Sequence, residues 1–334
     1  MWHNIKIFLI GLFLLCTLSL QAKPSQLSHK AQVYLLTCTP GNQTYMTFGH
    51  TAIRIYDPTK RVDEVYNYGT FDFNTDHFYW KFLRGDTWYE LACTSMAHFR
   101  IECKHADRDI YSQQLNLTYE ETNKLWDALQ TNLLPENKKY LYNFVYDNCA
   151  TRAYHIIMDA CSAPIESDYV GYTGQTYRSF LTRYTGKLSW FGAGINLLFG
   201  HLGDRKMSSE QRLFLPEEVM NYIQQARRTD NGEPFVLNSD IQPFKAPYTP
   251  WYATWPVGLA LYFLFVFGMS YYDHRRKKWS WWVELVAGIP YVLLLFLVFF
   301  MTFFSVHPLI GFGWPLLIIP ATHLCARLIY IIRW

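Results

Sequence analysis

Two residues have types and surroundings suited to covalent catalysis, Cys149 and His50. Cys149 stands in the run Asp147-Asn148-Cys149-Ala150-Thr151-Arg152. Asp147 or Asn148 can cap a helix, because a short side-chain oxygen accepts N–H groups left free in the first turn. Cys149 then falls in that turn, where unpaired N–H groups and the helix dipole favour negative charge. A thiol so placed is expected to have a lowered pKa and to react as a thiolate. The same N–H groups can hold an oxyanion. His50 follows Phe48 and Gly49. Gly49 leaves room beside the ring, and an imidazole can serve as base for a thiol close to it in space. The competing readings are structural: Cys149 as a small buried hydrophobe or half of a disulfide, and His50 as a core histidine with satisfied hydrogen bonds. From spacing alone those structural readings carry more weight.

The pattern of the chain predicts which elements must position the pair. Residues 33–37 read as a strand followed by the turn signal Pro40-Gly41, and 47–56 as a second strand. A turn at 57–60 leads to an antiparallel partner at 64–68, and aromatic-rich segments continue to Ala92 as further strands. Residues 118–132 read as a helix that opens on a capping box of Thr118 and Glu121 and stops before Pro135. A second helix begins near Asn148 and runs to about Met158. This is an α+β domain, with a sheet formed early and helices around it.

Of the 334 residues, 50% are hydrophobic, 18% aromatic and 17% charged, with a net charge of +3. Such a chain is not intrinsically disordered, and it lacks the basic excess of a dedicated nucleic-acid binder. Its apolar residues are unevenly spread. Lys6 precedes an apolar stretch at 7–20, which makes 1–22 a signal peptide or an uncleaved signal anchor. Residues 23–250 are polar and mixed. Beyond Trp255, apolar runs at 257–272, 283–304 and about 314–332 predict three transmembrane helices within 255–332. Tryptophans 251, 255, 279, 281, 282 and 334 lie at their ends, as an aromatic belt requires. The basic knot His274-Arg275-Arg276-Lys277-Lys278 belongs in the cytoplasm, so residues 23–250 face the other side. Five of the seven cysteines (Cys38, Cys93, Cys103, Cys149 and Cys161) lie in that exported part, so at least one stays free or pairs with another molecule.

Several runs together resemble one family: Leu35-Leu36-Thr37-Cys38-Thr39-Pro40-Gly41, Phe48-Gly49-His50-Thr51-Ala52, Tyr66-Asn67-Tyr68-Gly69-Thr70-Phe71-Asp72-Phe73, Asp147 to Arg152, and Phe214-Leu215-Pro216-Glu217. The family is the Bacteroides-type lipoprotein N-acyltransferases, called Lnb, and the resemblance covers most of residues 30–225. It implies a circularly permuted papain-like fold for the exported domain, similar to the lecithin–retinol acyltransferase group and NlpC-type peptidases, in which His precedes Cys. The order here is His50, then Cys149.

The resemblance implies Cys149 as nucleophile and His50 as base. A third residue should orient the imidazole. Folding a hairpin at 57–63 brings Asn67, Tyr68 and Asp72 near His50. Asn67 and Asp72 can accept a hydrogen bond and Tyr68 can donate one to an oxyanion, and the register does not choose among them. Asn148 and Arg152 are expected as neighbours of the site. His77 and His98 have no cysteine at a metal-ligand spacing, so neither metal nor cofactor is expected. The aromatic group of Phe71, Phe73, Phe78, Tyr79, Trp80, Phe82 and Trp88 can rest on a bilayer, line an acyl groove or fill the sheet core.

The activity implied is transfer of a fatty acyl chain from a phospholipid, through a Cys thioester, to the α-amino group of a diacylglyceryl lipoprotein. That places a multi-pass protein in the inner membrane with a periplasmic catalytic domain, and phospholipid, lipoprotein and membrane, but no nucleic acid, as partners. The alternatives are a Cys/His hydrolase of peptidoglycan peptides or lipid esters, and a membrane-anchored binding module without catalysis.

Overall fold

Strands with a two-residue apolar period need partners on both sides, and here they find them in one antiparallel sheet. The computed structural model describes residues 25–72, 74–171, 174–277 and 280–310. The strands are β1 (Gln32–Cys38), β2 (His50–Asp57), β3 (Val62–Thr70), β4 (Trp88–Ser95), β5 (Ile110–Leu115), β6 (Lys139–Leu141), β7 (Ile165–Ser167), β8 (Ala226–Arg228) and β9 (Val236–Asp240). Seven form a sheet in the order β6-β4-β3-β2-β1-β5-β9, and β7 pairs with β8 in a separate ribbon. The β2–β3 turn forms because Asp57 Oδ1 accepts the N–H groups of Thr59 and Lys60 at 2.9 and 3.1 Å.

The helices are α1 (Phe78–Arg84), α2 (Met96–His105), α3 (Tyr119–Asn132), α4 (Cys149–Ala160), α5 (Tyr177–Thr185), α6 (Trp190–Leu198), α7 (Pro216–Gln224), α8 (Trp255–Arg276) and α9 (Trp281–Phe304). Alternation along the strands sorts the core. Val33, Leu35, Ile53, Ile55 and Tyr66 pack with Trp126 and Leu129 of α3, Ala153 and Ile157 of α4, and Val219 and Ile223 of α7. Leu36, Cys38, Ala52 and Val65 pack with Met96, Phe99 and Cys103 of α2. The α+β expectation therefore holds. The helix expected at 118–132 is α3, with its Thr118–Glu121 capping box formed, and the helix expected from Asn148 is α4.

The helices α8 and α9, of 22 and 24 residues, are long and apolar enough to cross a membrane. They leave large apolar side chains such as Phe267 and Val292 exposed, as lipid-facing surfaces do. Their ends meet the sheet domain. Trp80 of α1 lies 4.4 Å, ring to ring, from Phe300 of α9. Val306 N–H donates to Arg84 O at 2.7 Å, and the Trp255 indole to Lys187 O at 3.2 Å. The aromatic residues of α1 thus divide. Phe78 is buried and stacks on Phe71, whereas Trp80 and Phe82 are exposed beside the membrane helices. The signal segment at 1–22, the third apolar run at 314–332, Phe73, Cys16 and Cys325 lie outside the described residues.

Glu121 joins the helical layer to the β7–β8 ribbon. Its carboxylate caps Thr118 N–H, accepts from Ser162 N–H, and forms a fork with Arg228 at 2.7 and 2.9 Å. Both charged side chains are buried. Burial alone would raise the carboxyl pKa, but the Arg228 guanidinium and the hydrogen bonds outweigh it and hold the value at about 2. The stabilisation is present above the ordinary carboxyl pKa of 4.5 and is lost as pH falls from there towards about 2. Replacing Glu121 by Ala leaves the buried Arg228 with only the exposed Asp230 as a carboxylate partner and strips Thr118 and Ser162 N–H of their acceptor, and is expected to cost about 2–4 kcal/mol. Denaturant unfolding of the sheet domain at neutral pH, followed by tryptophan fluorescence, checks this; a loss below about 1 kcal/mol would contradict a buried, fully engaged pair.

Candidate functional site

The start of α4 is fixed by the Asn148 side chain. Its backbone is extended, and its Oδ1 accepts the N–H groups of Ala150 and Thr151 at 2.8 and 3.0 Å. Thr151 Oγ1 returns a bond from Asn148 N–H at 2.8 Å, which completes a reciprocal cap. The amide nitrogen of Asn148 donates to Phe144 O and Phe214 O at 2.7 and 2.8 Å. Arg152 holds the outside of the same turn. It forks onto Asp147 at 2.5 and 2.8 Å and lies 3.7 Å from the Tyr140 ring centroid. Asn148 and Arg152 therefore position Cys149 while their own polar groups are spent on other partners.

His50 opens β2 opposite Cys38 of β1. Gly49 precedes it at φ +79°, where a Cβ would meet Cys38 O at 2.7 Å and the Phe244 ring at 2.8 Å. The paired residues of β2 and β3 run only from Ile53↔Tyr66 to Asp57↔Val62. Beyond them the His50 ring occupies the space that Gly69 leaves open. A Cβ on Gly69 would lie 2.4 Å from His50 Cε1. His50 Nε2 is 2.7 Å from Asn67 Oδ1, which also accepts Gly69 N–H at 2.7 Å. The Gly69 bond identifies the oxygen of the amide, so Nε2 carries the proton and Nδ1 keeps its lone pair.

The Cys149 thiol reaches the same strand end. The backbone N–H groups of Thr51, Ala150 and Cys149 itself lie beside it, that of Ala150 already held by Asn148 Oδ1, and Thr51 follows His50 directly. Among the described residues no hydrogen bond joins the thiol to the imidazole. All five cysteines from Cys38 to Cys161 are free thiols, with the Sγ atoms of Cys38 and Cys103 3.6 Å apart.

The sign of the thiol's shift departs from the sequence expectation. Burial raises the Cys149 pKa, and the three N–H groups and the Arg108 charge only partly offset it. The helix terminus is present, but desolvation outweighs it. Burial, with the Arg108 charge, pushes His50 down to about 3 against the opposing hydrogen bond to Asn67. Both groups are neutral at pH 7.

Of the three candidates for orienting the ring, Asn67 touches it. Tyr68 is buried on the core side, where its hydroxyl accepts from Asn132 Nδ2 at 2.8 Å and its carbonyl accepts from the Tyr140 hydroxyl. Asp72 is exposed and accepts Asn74 N–H within its own turn. Away from the site, Asp204 is held by an ion pair with Arg178 at 2.7 Å. Sequence reading overlooked Arg108, whose charge acts on Cys149 and His50 together, and the close approach of Gly69 to the ring. It also overlooked Phe244, whose N–H donates to Glu217 Oε1 at 2.7 Å and whose ring backs Gly49. Gly69 lies within the run Tyr66 to Phe73 that carries the family resemblance, the one sequence signal for its place.

Residues 23–182 match the family model of the Lnb N-terminal periplasmic domain. The match supports the Lnb resemblance, and it spans the Cys149 helix and the His50 strand. With the apolar helices α8 and α9, it is consistent with a membrane protein that carries a periplasmic domain. No curated protein and no solved structure matched the chain.

A neutral thiol predicts a steep pH profile. Alkylation of Cys149 by iodoacetamide, followed by peptide mass spectrometry, is expected to quicken about tenfold per pH unit between pH 6 and 8. A rate constant across that range would reveal a standing thiolate–imidazolium pair instead.

Proposed function

We propose that the protein is a lipoprotein N-acyltransferase with Cys149 as nucleophile, His50 as base and Asn67 as the residue that orients the base. The observation that carries the reading is the strand end shared by His50 and the Cys149 thiol, inside the stretch that matches the Lnb domain. The fold type proposed with it is a permuted papain-like one, in keeping with the order His50 before Cys149.

The chemistry follows from the protonation states. Asn67 holds Nε2–H, so the lone pair on Nδ1 is the base. The reaction requires the Cys149 side chain to turn from Thr51 N–H to that nitrogen, and catalytic contacts often tighten only when substrate is bound. His50 Nδ1 takes the thiol proton as sulfur attacks the ester carbonyl of a phospholipid. The N–H groups of Thr51 and Cys149, which lie beside the thiol, would receive the oxyanion. Collapse breaks the ester C–O bond, His50 returns the proton to the leaving alkoxide, and lysophospholipid departs from a Cys149 thioester. The α-amino group of a lipoprotein's N-terminal, lipid-modified Cys then attacks, His50 takes its proton, and the thiol is released from an amide product. With a pKa near 7.7–8.0, roughly a tenth to a fifth of that amine is neutral at pH 7. Both substrates are membrane-anchored, and tethering beside the bilayer raises their effective concentration at Cys149. In this reading the enzyme is a multi-pass protein of the inner membrane with its catalytic domain in the periplasm.

The test is the N-terminal lipopeptide of a lipoprotein from a host that lacks its own N-acyltransferase. Expression of this protein should add a third, amide-linked acyl chain detectable by mass spectrometry, and Cys149→Ala should abolish it. A peptide left with two chains by the correctly inserted wild type would contradict the transferase and favour hydrolysis of peptidoglycan or lipid esters. Cellular function retained in full by Cys149→Ala would favour a binding module.

A further inference from the structure

A cleft of about 640 Å³ opens beside the strand end that carries His50, and its walls include Thr39, Gly41, Arg100, Lys104, Arg108 and Lys245. Two contacts tie it to the site. Thr39 directly follows Cys38, the residue paired with His50, and its carbonyl accepts from Arg108 Nε at 2.7 Å. Lys245 directly follows Phe244, whose ring packs on Gly49. The cleft and the Cys149 thiol thus flank one strand end.

Its charge is unbalanced. Four cations face two carboxylates, Asp107 and Asp109, and among the described residues none of the four cations forms a salt bridge. Arg108 is anchored on both sides of its own backbone: its N–H donates to Cys103 O at 3.0 Å, and the next residue, Asp109, exchanges hydrogen bonds with Thr39 at 2.9 and 3.0 Å. Its Nη2 is buried without a partner. A buried guanidinium N–H without an acceptor is a cost that a bound anion removes, and a planar fork suits phosphate oxygens. The lining segment also leads into the membrane, because the chain runs from Lys245 to the start of α8 at Trp255.

We infer that this cleft binds the phosphate of the acyl donor's phospholipid head group, with Arg108, Lys104 and Lys245 as its main contacts. The inference rests on the acyltransferase reading and adds to it the part of the donor that is recognised. Phosphate and acyl esters sit on one glycerol unit, so a phosphate anchored beside Arg108 presents an ester to the adjoining strand end. The cleft then selects phospholipid over neutral glycerides, and it retains the lysophospholipid until the thioester has formed.

Two donors with the same acyl chains separate the claims: phosphatidylglycerol and diacylglycerol, each presented to the full-length protein in neutral detergent micelles. Intact-protein mass spectrometry reads the rate of Cys149 acylation. The Lys104→Gln/Lys245→Gln double variant is expected to slow acylation from subsaturating phosphatidylglycerol about tenfold and to leave the slower reaction with diacylglycerol unchanged. Equal rates for wild type and variant with phosphatidylglycerol would overturn the head-group site while the acyltransferase stands. Acylation from neither lipid by the wild type would overturn the acyltransferase reading itself. Inorganic phosphate distinguishes the source of the anion. It should slow acylation from phosphatidylglycerol alone; slowing of both donors alike would mean that the cleft holds a free anion and not the donor's head group.

Discussion

The side chain of Asn148 accepts from two N–H groups of its own helix and donates to the carbonyls of Phe144 and Phe214. A buried amide with every group satisfied locks both the start of a helix and its direction. The thiol one residue later is therefore aimed by a network that takes no part in chemistry. Phe214 belongs to the segment that leads into α7, whose Glu217 holds Phe244 N–H, and Phe244 backs the glycine before His50. A continuous set of contacts thus runs from the cap of the cysteine helix to the strand that carries the histidine.

Burial has a second consequence, which concerns charge. Thiol and imidazole are both neutral at rest, because desolvation outweighs the helix terminus at Cys149 and the Asn67 bond at His50. Arg108 pulls the two in useful directions. It favours the thiolate and disfavours an imidazolium, so in the proposed reaction it would ease loss of the thiol proton while keeping His50 unprotonated. An uncharged pair also limits side reactions of the thiol, since the thiolate is the reactive form.

Much of this was legible in the chain. Strand periodicity located β1, β2 and β3, and the Thr118 and Glu121 pair marked the start of α3, because those signals act within a few residues. Asn148 was legible as a cap for the same reason. The sign of the Cys149 shift was not, since it depends on how deeply the thiol is buried, and that is a property of the assembled sheet and helices. Tyr68 was indistinguishable from Asn67 in sequence. A single step along β3 sends its ring into the core, whereas Asn67 reaches the imidazole. Arg108 escaped notice because its effect on the site depends on the pairing of β1 with both β2 and β5.

The aromatic side chains of α1 and α6 rest on α9 and α8, the two helices long and apolar enough to cross a membrane. The central claim is that Cys149 carries the acyl chain between two lipids. It is tested most directly by incubating the purified full-length protein with phospholipid and no lipoprotein, then weighing the intact protein. The account predicts an acyl adduct on Cys149, released by neutral hydroxylamine as a thioester is, with one lysophospholipid formed per adduct. Free fatty acid produced with no adduct on Cys149 would contradict it.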